Sequence, residues 1–415
     1  MEITISAQSL PYVLAFVGED ENAILRWRTQ MILEAFASRG LSYKLIDMRR
    51  EGWFAELQNA LVAGKPRFCF SYQGMGMAVT VSTGENLWTR LGVPFISCLG
   101  DNPYHAPSLH SVEGPGMFLL YACKDFYETY SNFMHGRNFA ATFHTGYPEK
   151  VLIDQKPWSQ REHDIVFVKT AVNPKQLRAG WDNYPKKIRD IMEECAARLL
   201  TGADVTVAVQ CAQIFQERLI HWGDRHELFL SCCSMVDRYV RAVRAERMVS
   251  ALMEHENALI VGNWAYLDRS TSRATFRDPM PAVELDALYA DSRIVVNTLP
   301  TVRYGLHERI VSGLLSKSVV VSDSTPHLQQ LLRDCPAFLG LEIDQEAFPD
   351  QLGQTLSSCL ANPDSAEHVE RSAAVARELF SFEKFIEMLL EHIDIGNHCQ
   401  AVKWWSFPSA AQRAK

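Results

Sequence analysis

The sequence predicts an α/β protein of two domains, each built on a parallel sheet with helices on its faces. Three observations carry this. The chain has 415 residues, too many for one ordinary core and right for two or three domains of about 150 residues each. Short buried-type strands alternate with helical stretches in the first 143 residues and again from 258 onward, the pattern of parallel sheets. Between the halves, residues 145–162 are polar and hold two prolines, which places the domain boundary there.

In the first half, Tyr12 to Val17 is a run of β-branched and aromatic residues that reads as a buried strand. Gly18 to Asn22 supplies turn and capping chemistry, and Ile24 to Ser38 reads as a helix closed by Gly40. Leu41 to Ile46 is the next strand, which completes a βαβ start. Phe54 to Ala63 then predicts a helix, and Phe68 to Tyr72, Val93 to Cys98, Met117 to Tyr121 and Ala140 to Phe143 predict further strands, giving a sheet of six.

The second half opens with the strand Asp164 to Val168. Residues 175–256 read almost wholly as helix, with Ile188, Ile191, Met192, Cys195 and Leu199 at helical spacing and a second stripe from Met235 to Leu252. Both stripes are the packed face of a helical bundle. The α/β pattern then returns in the strands Ala258 to Val261, Ile294 to Asn297 and Ser318 to Ser322. The helices Glu284 to Ala290, Glu308 to Leu315, Pro326 to Leu332 and Phe382 to Ile393 complete the reading.

Composition narrows the function classes. The net charge is −8, and no basic stripe accompanies it, which argues against nucleic acid as a partner. Ten cysteines are scattered without a C-x-x-C pair, so no zinc or thiol-redox motif is predicted. They read as small buried hydrophobes in a reducing cytoplasm. The N-terminus lacks the pattern of a signal peptide, and no apolar run reaches the ~18 residues of a membrane span.

The most informative stretch is Asn297 to Arg309, between a buried strand and a helix. Open parallel sheets bind ligands beyond the carboxyl ends of their strands. A helix N-terminus there offers unpaired N–H groups and partial positive charge, suited to phosphate oxygens. Gly305 allows close backbone approach, Arg303 and Arg309 supply charge-assisted hydrogen bonds, and His307 and Glu308 suit a phosphate or sugar hydroxyls.

The run Val283 to Asn297, then Gly305-Leu-His-Glu-Arg-Ile310, then Ser318 to Asp323, resembles the C-terminal half of the CgeB-like, Maf-like bacterial glycosyltransferases. Gly180 to Pro185, Gly100-Asp-Asn-Pro103 and Phe143-His-Thr-Gly146 are similar to other stretches of that family. The likeness is clear over residues 258–335 and thinner elsewhere.

It implies a GT-B fold: two Rossmann-like domains facing a cleft, at 1–155 and 156–385, and a C-terminal helix and tail at 386–415 that pack back on the first. It also implies transfer from a nucleotide-diphosphate sugar without a metal or other cofactor. The chain contains no Asp-x-Asp motif, the metal-binding signature of the other large glycosyltransferase class.

Under this resemblance Asp101 is the candidate base, and His307 and Glu308 are the other candidate catalytic residues. Glu19, Asp20, His105 and His144 rank below Asp101. The donor site takes Lys169, Gly262, Asn263, Trp264, Asn297, Arg303, Gly305, Arg309 and Asp323, with Trp264 stacking on the base or lying in the core. Lys169 stands where the family has a glycine, and Ser316 stands eight residues after Glu308 where many retaining relatives have a second glutamate. The acceptor is a glycan, a protein or a small molecule. The aromatic tail Val402 to Phe407 suggests a membrane-surface contact or packing on the first domain. Two other readings stay open: a GT-B epimerase or hydrolase of nucleotide sugars, and a non-catalytic glycan-binding or scaffold subunit.

Overall fold

The computed structural model describes residues 11–20, 23–134, 136–144, 146–147, 155–202 and 204–403, with side chains to 398. The chain divides into two compact units, residues 1–148 with 381–415 and residues 149–380. These divisions lie a few residues before the positions 155 and 385 expected from the sequence.

The first unit contains β1 (Tyr12–Val17), α1 (Ile24–Ser38), β2 (Ser42–Asp47), α2 (Trp53–Ala63), β3 (Pro66–Tyr72), α3 (Leu87–Leu91), β4 (Phe95–Leu99), β5 (Met117–Tyr121), α4 (Lys124–Phe133) and β6 (Phe139–Thr142). All six strands are parallel, in the order β2-β1-β3-β4-β5-β6. Every residue of β1, β4 and β5 is buried, as expected of strands covered on both faces. The chain steps outward from β1 to β2, then returns to β3 on the other side. The order therefore reverses between β1 and β3, the place where such sheets bind ligands.

The second unit begins with β7 (His163–Val168), followed by α5 (Pro174–Ala179), α6 (Lys186–Leu200), α7 (Val207–Glu217) and α8 (His226–Leu252). These four helices are the predicted helical segment, and their buried faces carry most of the two apolar stripes. Then come β8 (Ala258–Val261), β9 (Thr275–Arg277), α9 (Ala282–Ala290), β10 (Ser292–Asn297), α10 (Glu308–Leu315), β11 (Val319–Asp323), α11 (Pro326–Leu331), β12 (Phe338–Leu341), α12 (Phe348–Ala361) and α13 (Ser365–Phe380). The second sheet is also parallel, ordered β12-β11-β10-β7-β8-β9. Its order reverses between β7 and β10. The sequence reading had no element at β9, β12, α12 or α13.

The last helix, α14 (Phe382–Lys403), returns to the first unit. It runs ten residues past the Ile393 expected from the sequence. Phe382, Phe385, Ile386, Leu389 and Ile393 join Val13, Ile32, Phe36 and Phe68 in one core. Its start is held by Phe382 N donating to Tyr147 O at 3.0 Å. Gly146 makes this seat possible: a Cβ there would stand 2.6 Å from Phe382 Cδ1 and 3.0 Å from its Cα. Phe143 and Gly146 thus anchor α14, with Phe143 packed 5.8 Å from the Phe385 ring. His144 is exposed. Residues 404–407 of the aromatic tail lie outside the described residues. Among the described residues no helix is long and apolar enough to cross a membrane.

Candidate functional site

In the second unit the carboxyl ends of four strands bring predicted residues together. Lys169 follows β7, Gly262 follows β8, Asn297 ends β10 and Asp323 ends β11. Lys169 and Asn297 stand on either side of the strand-order reversal. Gly262 is there because nothing larger fits. Its φ is +145°, and a Cβ would lie 2.1 Å from the Lys169 carbonyl oxygen and 2.8 Å from Trp264 Nε1.

α10 begins over this edge. His307 is its N-cap, with Nδ1 accepting from Arg309 N at 3.2 Å. Because Nδ1 accepts, the neutral ring carries its proton on Nε2, which remains a donor. The imidazole is held well below its ordinary pKa, first by burial and then by the charges of Arg309, Lys169 and Arg241, against Glu308. Lys169 is pushed down to about 7 by burial and by Arg309 and Arg241, with Asp323 and Glu308 opposing.

Asn297 is fully buried; its Nδ2 donates to Ser322 Oγ at 3.0 Å, and its Oδ1 faces Arg309 Nη1 at 3.5 Å. Asp323 is buried too and accepts from Leu299 N at 2.6 Å, pinning the loop that leads to α10. Burial raises its pKa to about 6. The cap of α11 is Thr325, which accepts from Leu328 N, so Asp323 is not a capping residue.

The sequence reading missed Arg241. It lies on α8, and its charge acts on both Lys169 and His307. The signal was present: Arg238, Arg241, Arg244 and Arg247 recur every three residues. Arg244 and Arg247 are tied to Asp344, at 2.5 and 2.9 Å, whereas Arg241 has a looser contact with Asp237 at 3.6 Å.

Other predicted residues stand elsewhere. Trp264 is fully buried, 6.3 Å from the Phe167 ring, so its indole belongs to the core and is closed to a stacking base. Its neighbour Asn263 is exposed. Arg303 is engaged by Asp204 through two 2.8 Å contacts. Gly305 is buried, and Glu308 sits in the first turn of α10 with its Oε2 3.4 Å from His307 Nδ1. Ser316 is buried at the far end of that helix.

Asp101 belongs to the first unit, in the loop after β4, where Gln73 Nε2 donates to its Oδ2 at 2.7 Å. Gln73 follows β3 in a left-handed conformation, φ 52°, beside that sheet's reversal point. Asp20 caps α1, accepting from Leu25 N and Arg26 N. Glu19 is exposed, and His105 packs edge-on to Tyr104.

Two arginines, a lysine whose pKa is pushed down to about 7, an imidazole donor and a helix N-terminus thus stand at the carboxyl ends of the second sheet's strands, chemistry of the kind that holds an anion such as a diphosphate. No family model matches the chain, and no curated protein does. Solved structures do. A glycosyltransferase from Rickettsia africae aligns over 93% of this chain and 98% of its own, with a TM-score of 0.51 and 9% identity. Anabaena HepE, solved with UDP and glucose, aligns over 93% and 100%, with a TM-score of 0.53 and 10% identity. Sucrose-phosphate synthase from Thermosynechococcus elongatus aligns over 93% and 99%, with a TM-score of 0.54 and 9% identity. The fold is GT-B. At these identities the likeness is one of fold, and in the GT-B frame the cationic strand edge belongs to the second Rossmann-like unit.

Proposed function

We propose that this chain is a glycosyltransferase that moves a sugar from a nucleotide-diphosphate donor to a hydroxyl acceptor. The observation that supports this most is the cluster of Lys169, Arg241, His307 and Arg309 at the strand-order reversal of the second unit. Developing negative charge on a leaving diphosphate is stabilised by fixed cations and N–H dipoles, and these groups supply both without a metal ion. Glu308, in the same turn, accepts from donor-sugar hydroxyls. The first unit binds the acceptor, with Asp101 as base. The sequence motifs point further, to a CgeB-like or Maf-like bacterial enzyme working in the cytoplasm on a glycan, a protein or a small molecule.

The test is thermal unfolding with UDP, GDP, CDP, dTDP and CMP in EDTA. UDP leads the panel because the Anabaena protein was solved with it. A ligand at 100 times its dissociation constant adds about 2.7 kcal/mol. One diphosphate stabilises the wild type, CMP does not, and Lys169→Met loses most of the gain. If no nucleotide shifts the transition, the transferase reading is wrong, and glycan binding without turnover becomes the reading to test.

A further inference from the structure

The helical segment holds a group of side chains that the proposed transfer does not use. Cys195 on α6, Cys211 on α7, and Cys232 and Cys233 on α8 are each fully buried. Cys195 Sγ and Cys211 Sγ lie 3.2 Å apart. The Cys233 thiol, on α8, also acts on the Cys211 sulfur. The three thiols thus come from three successive helices and meet at the Cys211 sulfur. In sequence they are 16 and 22 residues apart, which is why no short cysteine motif announces them. Among the described residues no group of three or more His, Cys, Asp or Glu is arranged to hold a metal ion, so the chemistry open to the cluster is that of thiols with one another.

We propose that Cys195 and Cys211 form an oxidisable dithiol that closes to a disulfide between α6 and α7. The sulfurs need to approach by only about 1.2 Å to reach bonding distance. Cys211 is the nucleophile. Its sulfur meets the Cys195 sulfur at 3.2 Å, and the Cys195 and Cys233 thiols draw its pKa downward against its own burial, whereas burial raises those two. With hydrogen peroxide as oxidant, the Cys211 thiolate attacks one peroxide oxygen. The O–O bond breaks, the departing hydroxide takes the proton that the Cys211 thiol gave up and leaves as water, and a sulfenic acid remains. Cys195 sulfur then attacks the sulfenic sulfur, the S–S bond forms and a second water leaves. Two thiols are oxidised and one peroxide is reduced to two waters.

The experiment uses the full chain, reduced, exchanged into buffer and exposed to millimolar hydrogen peroxide, followed by quenching and peptide mapping without reductant. The expected result is one cross-linked pair of peptides, carrying Cys195 and Cys211. The count of titratable thiols in the denatured chain falls from ten to about eight, and dithiothreitol restores it. Cys232→Ser keeps the cross-link. Cys195→Ala abolishes it and leaves Cys211 as a sulfinic acid or joined to Cys233. An unchanged thiol count under conditions that fully oxidise free dithiothreitol overturns the proposal, as does cross-linking that leaves Cys195 and Cys211 reduced.

Discussion

Binding of a diphosphate to the second unit should take up a proton, and Lys169 is the group that takes it. In the free protein its amine is pushed down to about 7 by burial and by the charges of Arg309 and Arg241. A diphosphate between those cations reverses the sign of the local field and returns the amine toward its ordinary value near 10.4. At pH 8 about one free molecule in ten carries the charge, against nearly all bound ones, so binding takes up about 0.9 proton. Above pH 7 the dissociation constant rises about tenfold per unit, because the charged form must first be populated. The nucleotide's terminal phosphate, with a second pKa near 6, is already fully ionised there. Calorimetric titration with UDP at pH 8 in buffers of different ionisation enthalpy reads the proton count as a slope. Lys169→Met should remove the slope and bind more weakly at pH 6.5. Tight binding with a slope near zero in the wild type would refute the reasoning.

Gly262→Ala drives a Cβ into the Lys169 carbonyl, 2.1 Å away, and should cost about 2–4 kcal/mol by denaturant unfolding, whereas Asn263→Ala at the adjacent exposed position stays within about 0.5 kcal/mol. Arg241→Gln removes the charge that faces buried Asp237 at 3.6 Å, so it should lower Tm as well as weaken diphosphate binding about 10–100-fold, the size of a charge-assisted hydrogen bond. Asp323 titrates near 6 in the folded protein and near 3.9 unfolded. The native state therefore holds the extra proton between those values, and the stability this contributes is present below about 4 and lost as pH rises through about 6. Asp323→Asn, whose Oδ1 still accepts from Leu299 N, should remove about 2–3 kcal/mol of that decline in unfolding curves taken between pH 4 and 7.

Elements with strong periodicity were legible. β1 and β5 are continuous apolar runs, and α10 was readable from its His-Glu-Arg start. β9 was not, because Thr275 and Arg277 are exposed and the strand is a three-residue edge with no alternation. β12 was lost to its brevity and to Gly340. α13 buries Val369, Ala373, Ala376 and Phe380 at helical spacing, but two of the four are alanines and the charged residues between them mask the stripe. The placement of Lys169 and Gly262 after β7 and β8, and of Asn297 and Asp323 at the ends of β10 and β11, was legible because the ends of parallel strands are a fixed address. Arg241 was not, because it arrives from a helix whose apolar stripe gives no hint of which polar residue faces the sheet. Trp264 shows the converse: its position after a strand suggested stacking, and close packing against Gly262 and Phe167 claims the ring for the core.

The central claim is that the cationic edge of the second sheet is the donor site, and a crystal structure with UDP bound in the absence of divalent metal tests it most directly. Diphosphate oxygens should lie at the first turn of α10, within hydrogen-bond distance of Lys169 Nζ, His307 Nε2 and the Arg309 or Arg241 guanidinium. A nucleotide seated elsewhere with this cluster untouched, or one ordered there only after a metal ion is added, would contradict it.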